Sequence, residues 1–308
     1  MPTHHTRVET APPFDWRLCL HGHGWIALSP HRFDEDAARW HTALRLGAAT
    51  VDVVASHDGG AVRLALTART SLSRAQLAAA RGQIRHMLRL DEDLAAFYRQ
   101  CRREPSRRWV ARRGGGRLLR SPTAFEDLMK LLFTTNVTWT ATEAMSANLV
   151  EALGSSAPSG ARAFPTPRQC LRDEAFYRDV VRCGYRAQAA IELAEAFVSG
   201  ALDDDAFFAE PDSGALWRRI CGLRGFGPYA AGQMMRLCGH YQHLAIDSWC
   251  RARLAELDGA DEPPSDRAIA ARYEAAAPFQ GLAMWCDLTA DWHDEDGPLN
   301  RSADRGER

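Results

Sequence analysis

Between Leu216 and Leu254 the chain reads LWRRICGLRGFGPYAAGQMMRLCGHYQHLAIDSWCRARL, a stretch rich in residues able to do chemistry. In Leu223-Arg-Gly-Phe-Gly227 two glycines flank one apolar residue, which permits a tight turn with exposed backbone N–H groups. Helices are expected on both sides, over Leu216–Cys221 and from Pro228 onward, since proline suits a first helical position. Amides at such a helix start offer a phosphate-binding surface that needs no side-chain charge. About twenty residues on, Asp247 stands between an apolar strand-like stub, Leu244–Ile246, and a helix expected over Ser248–Leu254. A carboxylate there can stabilise an oxocarbenium-like transition state and position or activate water. An aspartate in that place can equally be a helix cap for the amides of Ser248–Arg251.

A second chemical fact is a count. Lys130, on a helix expected over Thr123–Phe133, is the only lysine of the chain; the other basic residues are arginines. Eight of those arginines fall between Arg102 and Arg120, against one glutamate, although the whole chain carries a formal charge of −1. Such a stripe can be the electrostatic footprint of a nucleic acid, or a solvated arginine-rich loop. An acidic run from Asp287 to Asp296 offsets part of it.

Composition bounds the rest. With 308 residues, 46% apolar and 25% charged, the chain is a globular protein of two domains or one large one. No apolar run is long enough for a membrane span, and MPTHHTRVET carries no apolar leader, so a cytoplasmic protein is expected. The eight cysteines are scattered and form no C-x-x-C pair, which predicts reduced thiols and neither a zinc site nor an iron–sulfur cluster. His21-Gly22-His23 and His4-His5 could ligate a metal, but a glycine turn and a chain end are poor frames for one, and no metal is expected.

Along the chain the sequence changes character. Phe14–Leu20, Trp25–Leu28, Thr50–Ala55 and Ala61–Thr67 are short, apolar and separated by turn residues. They predict a small antiparallel sheet with a hairpin at Asp58-Gly59-Gly60. Helical periodicity begins near Ser73, with Leu77, Ile84, Leu88, Leu94, Phe97 and Tyr98 on apolar faces, and continues nearly to the end. Ser121-Pro122 and Thr166-Pro167 read as helix starts. The expected architecture is α+β: a β-rich N-terminal domain over 1–105, a mostly helical domain over 106–296 with a basic crossover at 102–120, and a flexible tail at 297–308.

The hairpin followed by Asp247 resembles the signature of the helix-hairpin-helix DNA glycosylases, the superfamily of endonuclease III, 8-oxoguanine glycosylase and AlkA-type 3-methyladenine glycosylase. Phe164-Pro-Thr-Pro167 and Gly184-Tyr-Arg-Ala187 resemble further segments of that family, the latter a turn of the oxoguanine branch. The N-terminal sheet with its basic crossover resembles the added domain of the AlkA and oxoguanine branches. The absence of a four-cysteine cluster argues against the endonuclease III branch. Overall the resemblance spans residues 80–292.

The resemblance implies an enzyme that flips a damaged base out of double-stranded DNA and cleaves its N-glycosidic bond, with Asp247 as catalytic residue. Gly225, Phe226 and Gly227 would grip the backbone, aided by Arg112, Arg113 and Arg117. Asn136, in Thr134-Thr-Asn-Val-Thr-Trp139, falls where the oxoguanine branch has an asparagine that fills the gap left by the base. Bifunctional members carry a lysine two residues after the hairpin, and here that residue is Tyr229, which implies a monofunctional hydrolase with Tyr229 stacking on the base. Trp249, Phe279, Met284 and Trp285 would line the base pocket, although their spacing serves core packing equally well. Met284 stands where the oxoguanine branch has a polar wall. No cofactor is expected beyond a monovalent cation that the family can hold at its hairpin. A monomer acting on an alkylated purine is the leading expectation. Alternatives are a bulkier modified base, such as a phage-type pyrimidine, and a non-catalytic lesion-binding module.

Overall fold

Alternation of buried and less buried residues along Thr50–Ala55 and Ala61–Thr67 builds the centre of one sheet. The computed structural model describes residues 1–293. Its five strands are β1 (Thr3–Glu9), β2 (Arg32–Asp34), β3 (Arg39–Leu46), β4 (Ala49–His57) and β5 (Ala61–Thr67), in the order β1-β5-β4-β3-β2 with every pair antiparallel. Register places Val53 opposite Leu66, Ala55 opposite Leu64 and Leu44 opposite Val51, so the apolar side chains share one face. The β4–β5 hairpin forms at the expected Asp58-Gly59-Gly60, where the Asp58 carboxylate accepts the Gly60 and Ala61 amides.

The helices are α1 (Trp16–His21), α2 (Arg74–Met87), α3 (Ala95–Arg103), α4 (Arg108–Arg113), α5 (Ala124–Phe133), α6 (Trp139–Leu153), α7 (Glu174–Phe176), α8 (Ala187–Ser199), α9 (Asp205–Phe208), α10 (Ser213–Cys221), α11 (Pro228–Leu237), α12 (Ser248–Asp258), α13 (Asp266–Tyr273) and α14 (Gln280–Leu288). Ser73 caps α2 through a reciprocal pair with Gln76, and Gln76 and Gln83 then donate to the Leu46 and Arg45 carbonyls of β3. That fastens α2 to the sheet.

Several expected boundaries move for local reasons. Phe14–Leu20 and Trp25–Leu28 are not strands. Asp15 accepts the Leu18 amide and starts α1, and Gly24–Ala27 is a single 3-10 turn. The sheet instead takes β1 and β3, whose mixed polar sequences hid them. Thr123, not Ser121, caps α5, because Ser121 turns inward to the buried Asp127. Thr166-Pro167 opens one hydrogen-bonded turn rather than a helix. Leu244–Ile246 is irregular.

Two large apolar cores result, beside a small cluster of Ala43, Ala157 and Ala163, and both large ones run across residues 105 and 106. Val53 and Leu64 of the sheet share one core with Leu131 and Met234 of the helices. Phe97, Tyr98 and Cys101 of α3 share the other with Tyr273, Leu282 and Cys286. Polar contacts reinforce the first junction: Trp25 Nε1 donates to Asp127 Oδ1 at 2.7 Å, and His31 lies 3.4 Å from Lys130 Nζ. Burial raises the Asp127 and Glu126 carboxyls, against the opposing pull of the donors around them. The expected tail at 297–308 lies outside the described residues.

Candidate active site

The hairpin between α10 and α11 takes the shape its glycines allow. Gly225 adopts φ +84°, and a Cβ there would lie 2.8 Å from Leu132 Cδ1. Gly227 caps α11 with Pro228 behind it, and a Cβ on Gly227 would meet nothing within 4 Å. The amides of Gly225 and Gly227 have no acceptor among the described residues, whereas the Phe226 amide returns to the Leu223 carbonyl. The Phe226 side chain is buried in the first core, so it anchors the turn from below.

Asp247 is both cap and candidate catalyst. Its Oδ1 accepts the Cys250 amide at 2.7 Å at the start of α12, which orients the carboxylate. Its second oxygen makes no hydrogen bond among the described residues. The approach to Asp247 is set by close packing: a Cβ on Gly232 of α11 would lie 2.9 Å from Ala245 Cβ. The connecting segment therefore rests directly on α11 and brings Asp247 beside Tyr229.

Two adjoining spaces meet at these residues. A groove of about 490 Å³ is lined by Thr134, Asn136, Gly225, Gly227, Tyr229 and Asp247. A deeper cavity of about 530 Å³ is lined by Tyr229, Gln233, Asp247, Trp139, Trp249, Trp285 and Trp292, closed on one side by His21, His23 and Gly24. Thr134, Val137, Tyr229 and Asp247 border both. Trp249, Trp285 and Trp292 form a cluster with ring centroids 5.7 to 6.0 Å apart, and Trp285 Nε1 donates to the Gly22 carbonyl at 2.6 Å.

Apart from Asp247, titratable side chains of the cavity wall are held uncharged. Burial, and then the Asp247 charge, push the Tyr229 hydroxyl up to about 12, so it stays a neutral phenol. Burial lowers His23 to about 3, and its Nε2 pairs with the Leu119 carbonyl, which places its proton on that nitrogen. His21 is likewise lowered by burial, against the pull of Glu35. Neither histidine belongs to a metal-binding cluster; among the described residues there is none. The hairpin side chains Leu223, Arg224 and Phe226 offer no cation ligand, so a monovalent cation there would have only backbone carbonyls to bind.

The other expected site residues divide. Tyr229, Trp249 and Trp285 line the cavity with Asp247, but Met284 is fully buried and Phe279 packs between Phe97 and Tyr241. Both pack in the second core, Phe279 just before α14 and Met284 on it, and of the α14 side chains Trp285 is the one that also reaches the cavity. Asn136 has φ +48° at the groove, and its Nδ2 lies 3.5 Å from the hydroxyl of the exposed Tyr185. Arg112 is exposed. Arg113 instead pairs with Asp15 at 3.1 Å, and Arg117 donates to the Arg89 carbonyl at 2.5 Å. Gln233 and Trp292 are cavity residues the sequence did not single out, while Trp139 was expected only as the end of the Thr134–Trp139 loop, and His21 and His23 only as possible metal ligands. Gln233 was legible, one helical turn beyond Tyr229 on the same face. Trp292 and the histidines reach the site only through tertiary packing.

The fold is one shared with DNA glycosylases of known structure. No protein-family model and no curated protein matches the sequence. Among solved structures, the fold is similar to the 3-methyladenine DNA glycosylase from Archaeoglobus fulgidus, with a TM-score of 0.74 and 17% identity over 94% of this chain and 98% of that one. It is also similar to the 8-oxoguanine glycosylase/lyase of Clostridium acetobutylicum in its apo-form, with a TM-score of 0.70 and 16% identity over 92% of this chain and 95% of the other. The same Clostridium protein in complex with double-stranded DNA containing cytosine opposite 8-oxoguanine gives a TM-score of 0.70 and 16% identity over 92% and 97%.

Proposed function

We propose that the protein is a monofunctional DNA glycosylase acting, as a monomer, on a modified purine in double-stranded DNA, with alkylated purines as the leading substrate class. The observation that carries this reading is the position of Asp247 on the border between the hairpin groove and the aromatic cavity. A nucleotide rotated out of the duplex would lay its phosphates along the Gly225 and Gly227 amides and its base among Tyr229, Trp249 and Trp285. Its glycosidic bond would then fall at the border, beside Asp247. Asn136 and the exposed Tyr185 stand on the groove side, where the vacated space in the stack would be.

In the reaction, Asp247 stabilises positive charge as it develops on the sugar and orients a water for attack at its first carbon. The Cys250 amide holds the carboxylate in place, so little reorganisation is needed at the moment of reaction. Tyr229, a phenol, cannot form an imine, so the product is an abasic site. The cavity volume of about 530 Å³ lies within the range of about 300–1,000 Å³ common to small-ligand sites. It also supports a second reading, a bulkier modified base. No helix among the described residues is long and apolar enough to cross a membrane. The test is incubation with duplexes bearing single lesions, with and without alkali, followed by mass spectrometry of the released base. Binding without release from any lesion would favour a non-catalytic lesion-binding module.

A further inference from the structure

Arg236 lies on α11, seven residues beyond Tyr229, and is 2% exposed. Among the described residues its guanidinium nitrogens, Nε, Nη1 and Nη2, have no hydrogen-bond partner and no carboxylate forms an ion pair with it. Its guanidinium carbon sits 4.6 Å from the ring centroid of Trp285. Trp285 lines the cavity and Arg236 does not, so the indole stands between the charge and the space a base would fill. The groups that act electrostatically on the guanidinium are Cys250, Tyr229, Cys286 and Tyr241, all neutral because burial pushes their protons on more tightly. Burial lowers Arg236 to about 10, which leaves it protonated at neutral pH. An uncompensated buried charge is costly to a fold, and most structures pair it. Here it is spent against the wall of the candidate site.

We infer that Arg236 makes the cavity selective for modified bases that are uncharged in the intact nucleoside, such as cyclic etheno or deaminated purines, over cationic N-alkylated bases. Two effects act together. The fixed charge repels a cationic base across a water-poor wall, and it draws on the π-electrons of Trp285 that would otherwise attract one. A neutral base leaves with negative charge growing on its ring nitrogens, and the same guanidinium stabilises that charge. A cationic base leaves neutral and gains nothing. The inference rests on the glycosylase reading above and, within modified purines, moves the preferred substrate from cationic alkylated bases to uncharged ones.

The test compares duplexes carrying 1,N6-ethenoadenine, hypoxanthine or 7-methylguanine, each rate divided by the spontaneous loss of that base. The protein should enhance release of the two neutral bases more than that of 7-methylguanine. Arg236→Met should reduce the preference about tenfold or more, and Arg236→Lys should retain part of it. The methionine variant removes an unpaired buried charge, and the wild-type ratio is informative by itself should that variant not fold. Binding of the same duplexes by Asp247→Asn, followed by fluorescence anisotropy, should keep the same order. A level or reversed order in binding or release, or a ratio unmoved in a folded Arg236→Met, overturns the inference. Absence of release from every duplex, with the binding order kept, overturns only the glycosylase reading.

Discussion

Lys130 Nζ lies 2.7 Å from Glu126 Oε1, one helical turn back along α5, and the Lys130 side chain is wholly buried. The only lysine of the chain is therefore a structural partner, beneath Ser121 and His31 rather than at the border occupied by Asp247 and Tyr229. Borohydride should trap no covalent protein–DNA adduct, and abasic strands should break only after alkali or heat. Lys130→Met should cost about 3–5 kcal/mol by leaving Glu126 buried without its partner. The double variant Lys130→Met/Glu126→Leu should recover most of that stability and release base at the wild-type rate. An adduct mapped to Lys130 would contradict the arrangement.

The hairpin glycines should respond differently to the same change. Gly225→Ala places a Cβ at positive φ and against Leu132, so thermal stability should fall together with DNA affinity. Gly227→Ala meets no protein atom. Its melting temperature should therefore hold while affinity falls, because only an approaching phosphate backbone would collide with the new methyl group. Equal affinities for Gly227→Ala and wild type would move the DNA off the hairpin.

The arginine stripe should split in the same manner. Arg117→Ala removes a charged hydrogen bond to the Arg89 carbonyl, worth about 1.5–3 kcal/mol, and should lower stability without altering the salt dependence of binding. Arg112 is exposed, and Arg112→Ala should reduce the slope of log K against log salt by up to about one while leaving stability intact. An unaltered slope for Arg112→Ala would place that side of α4 away from DNA.

Acid should weaken the fold through His23. Its folded value of about 3 lies below the 6.5 of an unperturbed histidine, so below pH 6.5 the unfolded chain binds a proton that the folded chain refuses. Stability from this group is complete above pH 6.5 and declines as pH falls toward 3, by about 1.4 kcal/mol per pH unit. His23→Gln can keep a donor for the Leu119 carbonyl without titrating. Urea unfolding at pH 7 and pH 5 should show a smaller acid loss for the variant; equal losses would show that His23 titrates normally.

The sequence carries the hairpin, Asp247 and Tyr229 openly because their geometry is local: two glycines, a proline at a helix start, a cap. Ser73 and the Asp58-Gly59-Gly60 turn are legible for the same reason. Trp16–His21 misled because six residues make less than two helical turns, too few for the Arg17 and His21 polar face to establish a period, so its apolar run reads as a strand. Met284 and Trp285 are neighbours in sequence, yet one fills the core and the other lines the cavity, and only the seating of α14 decides which. Arg236 looks like any helical arginine until Trp285, from fifty residues later, is packed against it.

Whether the Asp247 carboxylate drives hydrolysis of a glycosidic bond is decided by single-turnover base release from Asp247→Asn. The variant keeps an oxygen for the Cys250 amide and should bind lesion-bearing duplex as wild type does. Base release, read by mass spectrometry, should fall by several orders of magnitude, since a carboxylate facing a cationic transition state contributes several kcal/mol, at about 1.4 kcal/mol per tenfold in rate. Release within about tenfold of wild type by a folded, DNA-binding Asp247→Asn would contradict the account, because so small a loss, about 1.4 kcal/mol, is not that of the principal catalytic charge.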